Sequence, residues 1–310
     1  GSHCGRTRKG THVSKLAFEA LSQQAVVGAG VLYFLAFLAQ LAGRRVAQPA
    51  ADGPSVLANL GVTMLPMAAL VHLGALVTRG LAAEPVRVPW GNMYEFTLTA
   101  TFAVVATYLA TMRRWSLRWM APWVTGFAIV VLMADSLWLY EGVTPLRDAL
   151  QSPWLVIHVV AAIIATGAFV LGGMASGLYL LKERWPDRFT KVPTLEVLDQ
   201  LAYRMHAFGF PVWTFAALIT GPIWAHQAWG SAWNWDPKEV WAFVTWVGYA
   251  AYLHARATAG WKGSRAAVVA LVALATLIFN FVGINFFFGS GSMHSYAQGL
   301  VEHLVLRSPV

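Results

Sequence analysis

Long apolar runs alternate with short polar or Pro/Gly-rich breaks along the whole chain. Eight runs stand out, at 24–41, 56–77, 94–111, 120–139, 153–181, 205–226, 240–259 and 266–288. A hydrocarbon core about 30 Å thick is crossed by roughly 20 helical residues at about 1.5 Å each. Each run therefore predicts a membrane-spanning helix. Pro66 falls inside the second run, which spans tolerate where neighbours re-satisfy the freed carbonyl. The fifth run is long enough to tilt. Pro211 and Gly221-Pro222 break the regularity of the sixth.

The breaks predict the connections. Gly43-Arg44-Arg45 ends the first span, and 49–55 is a Pro/Gly/Ala loop. Residues 79–91 form a loop with two prolines, Arg113, Arg114 and Arg118 a basic turn, and 182–204 the longest charged segment. The connection 140–152 has room for a short surface helix. Asp236-Pro237-Lys238-Glu239 predicts a helix start, with Asp at the N-cap, Pro at N1 and Glu at N3. Asp236 and Glu239 thus have a structural task available beside any chemical one. The tail is Gly/Ser-rich from 289 and amphipathic over 296–306.

Composition agrees with this pattern. The chain is 57% hydrophobic and 12% charged, against roughly 25% charged in soluble domains. The expected fold is all-α: a multi-pass membrane helical bundle of about eight transmembrane helices with an external Trp-rich loop. One integral membrane domain fills 1–310, with an N-terminal head at 1–23, where Gly1-Ser2-His3 reads as a tag remnant, and the external Trp-rich segment at 221–246. A formal net charge of +8 then sets orientation rather than pointing to nucleic acid. Cys4 is the only cysteine, which excludes disulfides, CxxC redox chemistry and cysteine metal sites within one chain. No Gly-rich phosphate loop precedes a helix, which argues against ATP-driven transport in this chain, and no HExxH occurs. Asp135 is the one acid deep in an apolar run and reads as a buried, hydrogen-bonded carboxyl.

Basic residues predict the faces. The connections after the first, third, fifth and seventh spans hold 13: Arg44, Arg45, Arg113, Arg114, Arg118, Lys182, Arg184, Arg188, Lys191, Arg204, Arg256, Lys262 and Arg265. Those after the second, fourth and sixth, with the tail, hold five: Arg79, Arg87, Arg147, Lys238 and Arg307. The positive-inside bias makes the first set cytoplasmic. Arg6, Arg8, Lys9 and Lys15 precede the first span and run against that assignment.

Six of the 15 tryptophans lie between Trp224 and Trp246, around the block Trp229-Gly230-Ser231-Ala232-Trp233-Asn234-Trp235-Asp236-Pro237-Lys238-Glu239-Val240-Trp241. An interfacial aromatic belt accounts for Trp229 and Trp246 but does not ask for the whole block. Aromatic faces interleaved with charges suit a flat, mostly apolar ligand with polar edges. His158, at the outer end of the fifth span, and His294, just past the eighth, fall on the same predicted face. Two imidazoles flanking such a platform can supply both axial ligands to a haem iron. The bland alternative for every histidine here is a neutral ring bonded to a neighbouring carbonyl. His206 and His226 read as interfacial.

The Trp block resembles the "WWD" signature of haem-handling proteins of cytochrome c maturation. The wider match runs from Gly221-Pro222-Ile223-Trp224-Ala225 through Tyr252-Leu253-His254-Ala255-Arg256 to Met293-His294-Ser295-Tyr296 and is similar to the CcsA/ResC branch. Pro89-Trp90-Gly91-Asn92-Met93-Tyr94-Glu95 resembles that family's P-x-x-N-x-Y-E stretch. The resemblance implies the haem-handling half of a System II cytochrome c synthase in a bacterial plasma membrane, a thylakoid being the organellar equivalent. It implies haem b as cofactor, an apocytochrome c with a CxxCH motif as acceptor, and a ResB/CcsB-type membrane subunit as partner within the lipid. His158 and His294 match the two outer histidines and would be catalytic as iron ligands. Trp224, Trp229, Trp233, Trp235, Asp236, Lys238, Glu239 and Trp241 would line the cofactor. His254 matches the intramembrane histidine and would mark an inner haem site, its second ligand coming from the partner or from His72. Lys238, Arg87 or Arg147 would pair with a propionate. The alternatives are a haem carrier or exporter without attachment activity, and a b-type electron-transfer cytochrome.

Overall fold

The computed structural model describes residues 2–46, 56–143 and 152–288. Helix is the only extended regular structure among them, and the chain separates into two compact units, 1–146 and 147–310. Among the described residues, seven helices are long and apolar enough to cross a membrane: Ser14–Gly43, Val56–Ala82, Met93–Met112, Leu117–Leu139, Pro153–Arg184, Leu195–Trp229 and Ser264–Phe287. The protein is a multi-pass helical membrane protein. The seventh expected span forms a helix too, Pro237–Thr258. It falls short on composition because Trp, Tyr, His and Arg take positions that Leu or Val hold in the others.

Unit 1 contains α1 (Ser2–Val46), α2 (Val56–Ala82), α3 (Met93–Met112) and α4 (Ala121–Ala134). Helix α1 packs against α2 and α4, and α3 packs against α2 and α4. The N-terminal head is not separate from the first span, since α1 runs through it without a break. A 3-10 turn, Leu117–Met120, leads into α4, and a π-helical turn, Asp135–Leu139, follows it.

The Pro89–Glu95 stretch explains how one end of unit 1 closes. Asn92 caps α3, its Oδ1 accepting from Glu95 N at 2.9 Å. The buried Glu95 carboxylate accepts from Gly91 N at 2.8 Å and pairs with Arg79 at 3.0 Å and Arg87 at 2.5 Å. Arg79 also reaches Glu19 at 3.4 Å and lies 5.1 Å from the Tyr94 ring. Buried charges persist only when paired, so this acid holds two basic side chains and a loop together. Arg79 is therefore the last turn of α2 and not a loop residue. Asp135 departs from expectation in another way: it is fully buried, but neither carboxyl oxygen has a hydrogen-bond partner.

Unit 2 contains α5 (Pro153–Arg184), α6 (Leu195–Thr214), α7 (Gly221–Trp229), α8 (Pro237–Thr258), α9 (Ser264–Ile278) and the short α10 (Ile284–Phe287). Helix α5 is central, packing on α6, α7 and α9, while α8 packs on α6 and α9. The charged segment after α5 is shorter than expected. Helix α6 begins at Leu195 with Thr194 as its cap, leaving only 185–194 between them. Two π-helical turns, Phe215–Thr220 and Phe279–Gly283, join α6 to α7 and α9 to α10. Both sit at the Trp-rich end of the unit.

Candidate functional site

The Trp-rich end of unit 2 is built from the start of α5, helix α7, the loop after it and the start of α8. His158 lies half-buried on the second turn of α5. Its Nδ1 is 2.9 Å from the Ala216 carbonyl oxygen. A carbonyl only accepts, so Nδ1 carries the proton and the ring's lone pair belongs to Nε2. This is the second-sphere arrangement that orients a metal-binding imidazole.

The Ala216 carbonyl belongs to the π-helical turn and serves other donors besides His158. It accepts from the Gly221 N–H five residues on, and from Thr220 Oγ1 at 3.0 Å. Pro222 has no N–H to give the preceding turn, which disfavours a regular α-helical ladder there. Gly221 lets the turn pass close to the His158 ring. A Cβ at that position would lie 3.3 Å from both Cε1 and Nδ1 of His158. The Gly221-Pro222 pair was legible as a helix irregularity; its service to His158 was not.

Trp224 is buried and stacks on the His158 ring, with centroids 6.3 Å apart and 12° between planes. Trp229 meets Trp224 edge-on at 6.1 Å. Gly230, at φ +76°, reverses the chain after α7. Trp233 meets Trp235 edge-on at 6.0 Å and Phe243 at 6.5 Å. Trp241 is turned toward the second π-helical turn, 4.2 Å from the Phe279 ring. The block is thus divided among three settings and is not one flat wall.

Trp235 is the outlier. Its backbone is left-handed at φ +57°, and its side chain is 77% exposed. A bulky residue with positive φ is held there at a cost of order 1–3 kcal/mol. The neighbouring turn does the holding. Asp236 caps α8, its Oδ1 accepting from Lys238 N at 2.9 Å, and Glu239 Oε2 reaches back to Asp236 N at 3.2 Å and Asn234 N at 2.8 Å. The capping box expected from Asp-Pro-Lys-Glu is present. Lys238 is half-buried; burial pushes its ammonium down from 10.5 to about 8, against the opposing pull of the Asp236 carboxylate.

The remaining candidates divide. His254 is exposed on α8, toward the end of that helix away from the Trp block. His72 is fully buried in unit 1, with Nδ1 3.4 Å from Tyr33 Oη and Nε2 3.1 Å from the Leu98 carbonyl. Both of its nitrogens are engaged, so it is a poor second ligand. Arg87 is committed to Glu95. His226 is exposed, as an interfacial residue should be, but His206 is buried in the core of unit 2. His294 and Arg147 lie outside the described residues.

Similarity to known proteins bears on this arrangement. The family described as Cytochrome C assembly protein matches residues 90–290, which takes in Glu95, though not its partners Arg79 and Arg87, and the whole Trp-rich end. Cytochrome c biogenesis protein CcsA of Chlamydomonas reinhardtii is 41% identical over 160 residues, covering 50% of this chain and 44% of that protein. The chain thus spans less than half of that relative's length. CcsA of Synechococcus sp. (strain JA-2-3B'a(2-13)) is 30% identical over 309 residues, covering 78% of this chain and 86% of that protein. CcsA of Guillardia theta is 32% identical over 232 residues, covering 67% and 76%.

Proposed function

This chain belongs to the cytochrome c assembly family of CcsA-type biogenesis proteins, and on that premise we propose that it holds haem b at the Trp-rich end of unit 2 and presents it for covalent attachment to a CxxCH apocytochrome c. Its family gives it a role in cytochrome c maturation, and seven apolar helices make it a membrane protein. The observation that carries the finer reading is His158. Its Nδ1–H is spent on the Ala216 carbonyl, and it rests against Trp224. Nε2 is then the atom that would hold an iron, and His294 would be the second residue to hold it.

The other residues take parts that follow from their settings. Trp229, Trp233 and Trp241 would offer apolar faces to the porphyrin, the buried Trp224 would line the site by backing the His158 ring, and the exposed Trp235 meets what enters from outside. Asp236 and Glu239 hold the loop in shape. Lys238 pairs with a propionate, which restores the charge that burial disfavours. In the attachment step each acceptor thiol adds across a haem vinyl group. A C–S bond forms at one vinyl carbon and the thiol proton ends on the other, with no net oxidation. The acceptor supplies both thiols, and the site supplies positioning.

His254 marks an inner site. An exposed imidazole on α8 offers its ligand to a neighbour outside this chain, and a ResB/CcsB-type membrane subunit is the partner. The engagement of both His72 nitrogens supports that choice and counts against a b-type cytochrome built on His72 and His254. The Trp-rich end faces the extracytoplasmic side of a bacterial inner membrane, or its thylakoid equivalent.

The test is co-expression with a CxxCH apocytochrome, with and without the ResB/CcsB-type subunit, scored for covalent haem. His158→Ala and His294→Ala should each abolish attachment, and added imidazole should restore part of it. Haem bound but never attached in the complete system would make the chain a carrier. Wild-type haem spectra in both variants would remove the bis-histidine site.

A further inference from the structure

The core of unit 2 contains polar atoms that no neighbour satisfies. His206 on α6 is 0% exposed, and neither of its ring nitrogens has a hydrogen-bond partner. The Tyr249 hydroxyl on α8 and the Ser176 hydroxyl on α5 are equally buried and equally unpartnered. Leaving one such group unsatisfied costs about 1–3 kcal/mol, and native cores contain few of them.

Helix packing brings the His206 and Tyr249 rings together, and helical periodicity puts Ser176 on the face of α5 that meets them. The His206 ring is 5.2 Å from the Tyr249 ring and 5.0 Å from the edge-on Tyr252 ring. It lies flat on α5, where a Cβ at Gly172 would come within 2.5 Å of His206 Cε1 and 2.8 Å of Nε2. Ser176 is one helical turn beyond Gly172, on the same face of α5. The contact is reciprocal, since a Cβ at Gly209 on α6 would come within 2.6 Å of Phe169 on α5. Each helix seats an aromatic ring on a bare glycine of the other. That interlock fixes the imidazole and prevents it from swinging to a backbone carbonyl.

We propose that His206, Tyr249 and Ser176 bind water inside the helical core of unit 2. A neutral imidazole offers one donor and one acceptor, and each hydroxyl offers both. A buried water takes two to four such partners, which is what this cluster supplies. Its lining does not suit a metal ion. Among the described residues no three His, Cys, Asp or Glu side chains gather, and neutral hydroxyls amid aromatic rings solvate a cation poorly. Phe169, Tyr249 and Tyr252 pack directly around the imidazole, which leaves no slot for a porphyrin. Tyr252 also lies 6.0 Å from the Arg256 guanidinium, which pairs with Asp199 at 2.5 Å. The inference stands apart from the haem reading and concerns none of its residues.

X-ray hydroxyl-radical footprinting of the intact protein in detergent or nanodiscs tests it. Radiolysis turns a bound water into a radical in place, so a tyrosine beside that water is modified although bulk solvent cannot reach it. Tyr108 is the internal control, because it is also 0% exposed and its hydroxyl is satisfied by the Leu117 carbonyl at 3.2 Å. Tyr249 should be modified severalfold faster than Tyr108. Equal rates would overturn the proposal. Tyr249→Phe gives a second decision: it should lower Tm if a water network is lost, whereas a raised Tm would mean that a dry, unsatisfied hydroxyl had been removed, and would overturn the proposal too.

Discussion

Lys238 is the residue whose chemistry depends most directly on its setting. Burial lowers its pKa to about 8, so the folded protein has released a proton that the unfolded chain keeps up to 10.5. Between those values the unfolded state binds more protons, and this residue's contribution to stability rises with pH. The charge needed for a propionate changes in the opposite sense: it is present below about 8 and lost above. Haem retention by the purified protein should therefore fall as pH is raised through that value. Lys238→Arg, which stays charged, should flatten the profile, and Lys238→Gln should hold retention low throughout. An Arg variant that tracks the wild type would end the propionate assignment.

At the scale of elements the π-helical turn Phe215–Thr220 does what an α-helix would not. It turns the Ala216 carbonyl toward α5 and lets Gly221 pass close to the His158 ring. Gly221→Ala places a methyl 3.3 Å from two atoms of that ring and 3.2 Å from the Ala216 oxygen. Helix content and yield should be retained, since Ala favours helix, while the haem-to-protein ratio falls severalfold as the imidazole is displaced. An unchanged ratio would show that the carbonyl contact does not position the ligand. Trp235 depends in the same way on a neighbouring element, since its left-handed backbone is held by the Asp236–Glu239 cap at the start of α8.

For the whole molecule the distribution of basic residues predicts one orientation. Arg113, Arg114 and Arg118 follow the third span, and Lys182, Arg184 and Arg188 the fifth, while the Trp block follows the sixth. In a Cys4→Ser background, Ala232→Cys should react with a membrane-impermeant thiol reagent on intact cells, and Arg114→Cys should not. Both positions are exposed, so burial cannot produce the contrast. The reverse pattern would exchange the two faces and put the Trp-rich end inside.

Helical membrane character was determined by the sequence alone, because a bilayer requires each crossing segment to satisfy its own backbone and present apolar side chains, and both demands are written in local composition. The cap at Asp236 was readable for the same reason: its partners lie within five residues. Long-range partners were not readable. Nothing local in His206 distinguishes a core residue from an interfacial one, and only its seat on Gly172 decides the matter. Arg79 looked like a loop cation and became a buried one because Glu95, from the next helix, pairs with it. The Ala216 carbonyl that orients His158 lies 58 residues along the chain from it. A backbone oxygen carries no residue signature, so packing alone could reveal that contact.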